Sequence, residues 1–186
     1  LRPAHGTRHA PAARRPLTYI TTTSKSRPVS ALRADLRPTI RAYRAWLIQQ
    51  TSKMTGTIRE VRLSDARAIA DIYNYYIEHT TVTYETEPVT VGEMERRIRD
   101  ISEGHPYLVY EDDGVVTAYC YAHPWKARAA YRHTFETTIY LDHRVMHHGI
   151  GRQLMARLTD MCRERGCHVL IACVTDENAE SRAFHL

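Results

Sequence analysis

The chain has 186 residues, of which 43% are apolar and 25% are charged, values typical of a soluble globular protein with one domain and a tail. No apolar run approaches the roughly 20 residues that a membrane-spanning helix needs, which argues against a membrane protein. No C-x-x-C spacing occurs among the four cysteines, so we expect a reducing cytoplasm, no disulfide framework and no zinc site. These cysteines are Cys120, Cys162, Cys167 and Cys173, and we expect Cys120 and Cys173, which lie in strand-like apolar runs, to be buried.

The net charge of +5 is divided unevenly along the chain. Residues 1–53 hold eleven Arg or Lys and a single acid, Asp35, whereas the remainder holds 15 basic and 20 acidic residues. We therefore predict a basic, disordered tail over 1–53 and a folded domain over 54–186. Three interpretations of the tail stay open: an organellar targeting segment, a nucleic-acid-binding arm, or a start assigned upstream of Met54. The third is favoured because the sequence pattern sharpens just after Met54.

From Met54 onwards the pattern predicts an α/β (α+β) domain of short strands and amphipathic helices. Ser64 is a candidate cap for the first helix, and Thr90 with Glu93 fits a capping box for the second. Asp113-Gly114 between two strand-like segments predicts a tight hairpin. The predicted strands cover 57–63, 106–112, 115–124, 134–141 and 168–175, and the predicted helices begin near 64, 90, 150 and 178.

The segment 131–151 has the pattern of a strand, a basic loop and a helix that begins at two glycines. Unpaired amides at such a helix start, together with the positive end of the helix dipole, bind phosphate groups well. The signal is weak alone, and a plain strand-to-helix turn stays open as the alternative. Leu154 occupies the third glycine position of a dinucleotide fingerprint, and no Walker A motif occurs.

The last predicted helix begins at Asn178, and the sequence stops within it. A strand leading into so short a helix is an unusual end for a domain. We therefore expect the domain to be truncated at its C-terminus.

Four sequence blocks carry a resemblance to a known family: IYNYYIEHTTVTYETEP (72–88), AYCYAHPWKARAAYRHTFETTIYLD (118–142), GIGRQL (149–154) and NAESRAFH (178–185). With the order of elements, they make the domain similar to the GCN5-related N-acetyltransferases (GNAT). Within that family it resembles the phosphinothricin and methionine sulfoximine or sulfone acetyltransferases. The resemblance implies a GNAT fold with a mixed central sheet flanked by helices. It also implies acetyl transfer from acetyl-CoA to the primary amine of a small amino-acid-like substrate, with no metal.

The resemblance also implies where acetyl-CoA binds. Its pyrophosphate would lie on the amides that begin the central helix, and its pantetheine would pair with the backbone of Ile139 and Leu141. Asn178 and Ser181 would flank the pantetheine arm or the thioester sulfur. The residues implied at the helix start are Met146, His147, His148, Gly149, Ile150, Gly151 and Arg152. Met146 departs from the Gln or Arg that the family usually has there.

Glu136 and His185 are the candidate catalytic residues. The substrate ammonium must lose a proton before it attacks the thioester, and Glu136 is the only carboxylate in its strand. Without the resemblance, solvent exposure or pairing with Arg132 or His133 is an equally good account of Glu136. By resemblance, His185 occupies the position of a residue that protonates the leaving thiolate. From the residues alone, it could equally be a polar surface residue.

Lys126 and Arg128 offer two cations for an anionic substrate head group, and the resemblance places Tyr84 and Tyr131 at the pocket wall. It also implies a homodimer in which Tyr140 reaches the neighbouring subunit's site. His143, His147 and His148 match no standard metal spacing. Alternative hypotheses are an inactive, non-catalytic remnant, a protein N-terminal acetyltransferase, and nucleic-acid binding by the tail alone.

Overall fold

The computed structural model describes residues 18–24 and 56–185. The strands are β1 (Thr18–Ser24), β2 (Thr57–Glu60), β3 (Tyr107–Asp112), β4 (Val115–Pro124), β5 (Thr134–Leu141) and β6 (Val169–Thr175). The α-helices are α1 (Ala66–His79), α2 (Val91–Ser102), α3 (Ile150–Glu164) and α4 (Ala179–His185), and three-residue 3-10 helices span Leu63–Asp65, Ala129–Tyr131 and His143–Val145. No helix in the described ranges is long and apolar enough to cross a membrane.

The six strands form one mixed sheet in the order β1-β6-β5-β4-β3-β2. Neighbours from β2 to β5 are antiparallel, and β5 pairs with β6 in parallel through the α3 crossover, as the sequence predicts. The fold is therefore the mixed sheet with flanking helices that the resemblance implies.

Strand β1 is a difference from the predicted disordered tail. It pairs in parallel with β6 along its whole length, from Thr18 opposite Val169 to Ser24 opposite Thr175. Four Thr and one Ile among its seven residues fit a strand. The adjacent edge of β6 supplies the hydrogen-bonding partner, which the sequence of the tail alone does not indicate. The rest of the predicted tail lies outside the described residues.

Alternating side chains of the strands separate two apolar cores. On one face, Cys120 and Phe135 pack with Leu154 of α3. On the other face, Tyr119 packs with Ile69 of α1 and Met94 of α2. The face on which a β4 or β5 residue lies therefore decides which helices it can contact.

Several local predictions are confirmed, and two are wrong. Asp113 (φ 48°) and Gly114 (φ 76°) form the left-handed hairpin turn, and the Thr90 hydroxyl accepts from the Glu93 amide at 3.2 Å. Ser64, however, lies inside a 3-10 helix that precedes α1 and is not its cap. Cys173 is exposed rather than buried, because it lies on β6 beyond the residues that pair with β5.

Candidate active site

Strands β5 and β6 stop pairing halfway along their length. Their parallel pairing runs from Thr134 opposite Val169 to Thr137 opposite Ala172. Strand β5 nevertheless continues to Leu141, and β6 continues to Thr175. The carboxyl ends of the two strands therefore diverge and leave a gap within the sheet.

The backbone of β5 directs alternate polar groups into this gap. The Asp142 amide donates to the Thr117 carbonyl at 2.8 Å, and the Trp125 amide donates to the Thr134 carbonyl at 3.1 Å. In an antiparallel ladder this periodicity assigns the even-numbered residues of β5 to hydrogen bonds with β4. The amide and carbonyl groups of Ile139 and Leu141 consequently face the β6 side, where the gap lies.

One of those groups already has a partner within the chain. The Tyr76 hydroxyl, from α1, donates to the Leu141 carbonyl at 2.7 Å. Burial of the ring raises the pKa of Tyr76 to about 12, so the phenol stays protonated and remains a donor. Tyr76 therefore occupies the Leu141 carbonyl, whereas the Leu141 amide is directed into the gap and does not contact Tyr76.

Helix α3 begins beside the end of β5. Gly149 has φ 77°, a left-handed conformation that glycine adopts without a steric penalty, and the Gln153 amide makes the first helical hydrogen bond, to the Gly149 carbonyl at 3.2 Å. The amides of Ile150, Gly151 and Arg152 precede that bond and have no intrahelical acceptor. In the described part of the chain no side chain caps this helix end. Such a terminus attracts an anion through its amides and its dipole.

The loop before α3 contributes a second left-handed residue and several polar groups. His147 has φ 69° and is exposed, with its Nε2 4.0 Å from Glu180 Oε1 of α4. Met146 and His148 are half-buried. Within residues 18–24 and 56–185, these histidines do not join with other side chains into a group of three potential metal ligands.

Glu136 projects from β5 towards the face covered by α1 and α2. Its register partner on β4 is His123, whose Nε2 lies 3.8 Å from Glu136 Oε2. Neither of the partners considered from sequence has this position: the Arg132 guanidinium contacts the Ala129 carbonyl, and His133 Nδ1 contacts the Gly166 carbonyl. The Glu136 side chain is 23% exposed, so the carboxylate is sheltered but accessible.

His185 lies on the opposite side of the sheet from Glu136. It lines a surface pocket of about 500 Å³ along α3 together with Arg152, Met155, Ala156, Thr159, Asp160, Arg163 and Phe184. Burial lowers the pKa of His185, which favours the neutral imidazole. Because α3 packs on the face of Phe135 and Glu136 points to the other face, the structure does not bring the two predicted catalytic residues together.

The turn into α4 uses the predicted residues Asn178 and Ser181 for a local contact. Asn178 Oδ1 accepts from the Ser181 amide at 2.9 Å, an arrangement that closes the first turn of the helix. The helix approaches the start of α3 closely, because a Cβ added to Gly151 would lie 3.3 Å from the Phe184 ring and 3.6 Å from Ile139 Cδ1. The second glycine therefore permits contact between α3, α4 and β5.

Three predicted substrate residues lie together in the connection between β4 and β5. Lys126 and Arg128 are exposed, and Lys126 Nζ lies 5.5 Å from the Trp125 ring and 5.7 Å from the Tyr131 ring. Tyr84 is 73% exposed, in the segment that follows α1. Lys126, Arg128 and Tyr131 offer two cations and an aromatic surface in the connection that leads into the start of β5, where Glu136 lies.

Tyr140, which the resemblance places at a neighbouring subunit's site, packs within its own chain in an aromatic cluster. Its ring packs against Tyr73, Tyr76 and Tyr119 of its own chain, at centroid distances of 5.2, 5.1 and 5.7 Å. Burial raises the pKa of Tyr140 above its usual range. The side chain is thus part of the aromatic core between the sheet and α1, because even-numbered residues of β5 face that helix.

Sequence analysis missed three side chains at the site: His123, Tyr76 and Thr175. The hydroxyl of Thr175, at the end of β6, is buried and has no hydrogen-bond partner in the described residues. His123 could have been suspected from its position in a block that carries the resemblance, but the register that pairs it with Glu136 depends on the length of the β4–β5 connection. No sequence signal links Tyr76 to Leu141, since 65 residues separate them.

Comparisons with known proteins agree with the fold described above. The model of the acetyltransferase (GNAT) family matches residues 69–186. A phosphinothricin N-acetyltransferase of Streptomyces viridochromogenes is 38% identical over 128 residues, which cover 69% of this chain and 70% of the relative. An L-methionine sulfoximine/L-methionine sulfone acetyltransferase of Salmonella typhimurium is 33% identical, covering 69% and 76%. The solved structure of a phosphinothricin acetyltransferase from Sinorhizobium meliloti in complex with AcCoA has a TM-score of 0.68 and 35% identity, covering 71% and 72%.

With the family model matching more than half of the sequence, the chain belongs to the GNAT family of acetyltransferases.

Proposed function

We propose that the protein transfers the acetyl group of acetyl-CoA to the primary amine of a small amino-acid-like substrate, of the phosphinothricin or methionine sulfone type. The observation that carries the proposal is the gap between β5 and β6, which opens directly beside the unpaired amides of α3. The names of the relatives, and the AcCoA complex of one structural neighbour, support this choice of co-substrate and substrate class.

The backbone around the gap fits an extended, amide-containing arm that ends in a pyrophosphate. The amides of Ile150, Gly151 and Arg152 would bind the pyrophosphate, as helix termini do. The Ile139 amide and carbonyl and the Leu141 amide would pair with the arm, as a neighbouring strand would. When bound, acetyl-CoA supplies the acetyl thioester; the remaining chemistry belongs to side chains and amides of this chain.

Glu136 is the group proposed to remove a proton from the substrate ammonium. A carboxylate with 23% of its side chain exposed can accept that proton directly or through one water. As the amine attacks, negative charge develops on the thioester oxygen, and a backbone amide near Leu141 would stabilise it. These two contributions, a base and a hydrogen-bond donor, are sufficient for an acyl transfer to a good nucleophile.

Lys126 and Arg128 are proposed to bind the anionic head group of the substrate, a carboxylate or phosphinate. Both are exposed in the connection that leads into β5, the strand that carries Glu136. An arginine offers paired N–H groups to such an anion, and a lysine adds a point charge. Two cations at this position favour an anionic amino acid over a polyamine.

His185 stays a predicted proton donor, and its position makes the prediction easy to test. In the described arrangement the sheet separates it from Glu136, and burial lowers the pKa of its imidazole. If a His185→Ala variant keeps full kcat, the proton that the leaving thiolate acquires comes from solvent and not from His185.

The experiment that tests the proposed function measures acetyl-CoA-dependent acetylation of phosphinothricin, methionine sulfone, methionine sulfoximine and a peptide N-terminus. Glu136→Gln should lower kcat by about 10²–10⁴-fold, the usual contribution of a general base. Glu60→Gln, which changes an exposed carboxylate on the outer strand β2, is the matched control and should keep wild-type kinetics. Acetylation of the peptide alone would contradict the proposed substrate class, and full activity of Glu136→Gln would remove Glu136 from the mechanism.

A further inference from the structure

His123 and Glu136 form a pair across the β4–β5 ladder. They are register partners, their side chains share the face covered by α1 and α2, and His123 Nε2 lies 3.8 Å from Glu136 Oε2. The side chains are 34% and 23% exposed, so both are sheltered without being sealed from water. A small rotation of either side chain would bring the two atoms within hydrogen-bond distance.

Hydrogen bonding assigns the tautomer of His123. Its Nδ1 lies 3.0 Å from the Pro124 carbonyl oxygen, which can only accept a hydrogen bond. Nδ1 therefore carries a hydrogen, and in the neutral ring the lone pair of Nε2 is directed at the Glu136 carboxylate. A basic nitrogen thus faces the group that is proposed to take a proton from the substrate.

The other titratable groups near this pair do not compete for the proton. Tyr121, the neighbour of His123 on the same face of β4, has its pKa raised above its usual range by burial, so it remains a neutral phenol. His105 packs on the Phe135 ring, and burial, with a smaller contribution from His123, lowers its pKa. Neither group therefore competes with Glu136, whose Oε2 lies 3.8 Å from His123 Nε2, as a proton donor to that nitrogen.

We propose that His123 is a proton-relay partner that takes from Glu136 the proton removed from the substrate. This inference rests on the proposed function. In the first step an N–H bond of the ammonium breaks and an O–H bond forms on Glu136. In the second step that O–H bond breaks and an N–H bond forms on His123 Nε2, so that the carboxylate is regenerated. The imidazolium then releases one proton to water, which is the net proton that acetylation of an ammonium produces.

The relay matters because a carboxylic acid left at Glu136 cannot accept the proton of the next substrate. Transfer to His123 moves that proton off Glu136 and away from the reacting amine. The 34% exposure of His123 gives the imidazolium access to water for the final release. Removal of the ring should accordingly slow turnover and leave the binding of acetyl-CoA intact.

The test is the His123→Ala variant assayed with and without added imidazole. We expect kcat to fall about tenfold or more, less than for loss of the base itself, with the KM for acetyl-CoA unchanged. Imidazole in millimolar amounts should restore most of kcat, an effect that a purely structural role of His123 would not produce. The control is His168→Ala, which removes an exposed histidine stacked on His133, outside the proposed site, and should neither lose kcat nor respond to imidazole.

The outcomes separate this inference from the proposed function. Wild-type acetylation together with unchanged kcat in His123→Ala, or with a loss that imidazole does not restore, would overturn the relay and leave the acetyltransferase in place. Absence of acetylation by the wild type would overturn the proposed function and the relay with it. A ¹⁵N spectrum that shows hydrogen on Nε2 and none on Nδ1 of the neutral His123 ring would overturn the relay without any activity measurement.

Discussion

Replacement of Gly149 by alanine tests whether the left-handed turn before α3 holds the co-substrate. Gly149 has φ 77° and ψ 2°, and a Cβ added there meets no atom within 4 Å. The change is therefore a backbone perturbation without a steric clash. A left-handed conformation costs a non-glycine residue about 1–2 kcal/mol, so alanine favours a rotated turn that directs the Ile150 amide away from the anion.

The expected loss of affinity follows from that cost. If acetyl-CoA must restore the left-handed turn when it binds, about 1–2 kcal/mol of binding free energy is lost, which corresponds to a roughly 5- to 30-fold increase in Kd. The assay is steady-state kinetics with acetyl-CoA as the varied substrate, supported by thermal unfolding with and without acetyl-CoA. The Gly149→Ala variant should show a higher KM and a smaller upward shift of Tm.

Gly114→Ala is a matched control for this variant. Gly114 has φ 76° and equally open space, but it lies in the β3–β4 hairpin turn. Because this backbone change lies away from the proposed site, only Gly149→Ala should bind acetyl-CoA more weakly. An unchanged KM for acetyl-CoA in Gly149→Ala would refute the role assigned to the turn.

Three further changes test the packing around the site. Tyr76→Phe leaves the Leu141 carbonyl without its 2.7 Å hydrogen bond and should cost about 1–3 kcal/mol of unfolding free energy in denaturant titrations; no loss would mean that water replaces the phenol. Asp65→Asn breaks the contacts from Arg59 at 2.7 and 2.9 Å and should cost about 3 kcal/mol. Burial alone would raise the pKa of Asp65, but the hydrogen bonds from Arg59 and the Arg62 amide outweigh burial, and the net pKa is lowered. The ionised carboxylate therefore stabilises the fold above about pH 4, and this stabilisation is lost as the pH falls below that value. Wild type should therefore lose this stability in acid, and a variant with the same acid dependence as wild type would contradict the assignment. Leu154→Ala, at a fully buried position of α3, should cost about 2–5 kcal/mol, and a smaller cost would indicate a core that collapses around the change.

Local signals predicted the elements of the fold well. The Asp113-Gly114 turn, the Thr90 cap and the apolar periodicity of α3 depend on residues close together in sequence, and each appears where it was expected. Strand β1 was not predicted, because its β-branched residues lie in an Arg- and Pro-rich segment and its pairing partner, the edge of β6, is more than 140 residues away. The capping residue before α1 was also assigned wrongly: the Asp65 carboxylate, not the Ser64 hydroxyl, accepts from the Arg62 amide at 2.7 Å, and Arg59 also holds that carboxylate.

The candidate site shows the same division between local and non-local information. The glycine turn and the free amides of α3 follow from the sequence GIG at a strand-to-helix junction, and the direction of Ile139 and Leu141 follows from strand alternation. The neighbours of Glu136 do not follow from the sequence. Its contact with His123 requires the β4–β5 register, and its separation from His185 requires knowing that α3 and α4 lie beyond the opposite face of the sheet.

The central claim is that the gap between β5 and β6 and the start of α3 form one acetyl-CoA-dependent N-acetylation site. The most direct measurement is mass spectrometry of methionine sulfone and phosphinothricin incubated with the protein and acetyl-CoA, in parallel with Glu136→Gln. The account predicts one acetyl group on the substrate amine, formed in proportion to protein concentration and almost absent with the variant. Binding of acetyl-CoA without acetylation of any amine in the panel would contradict it.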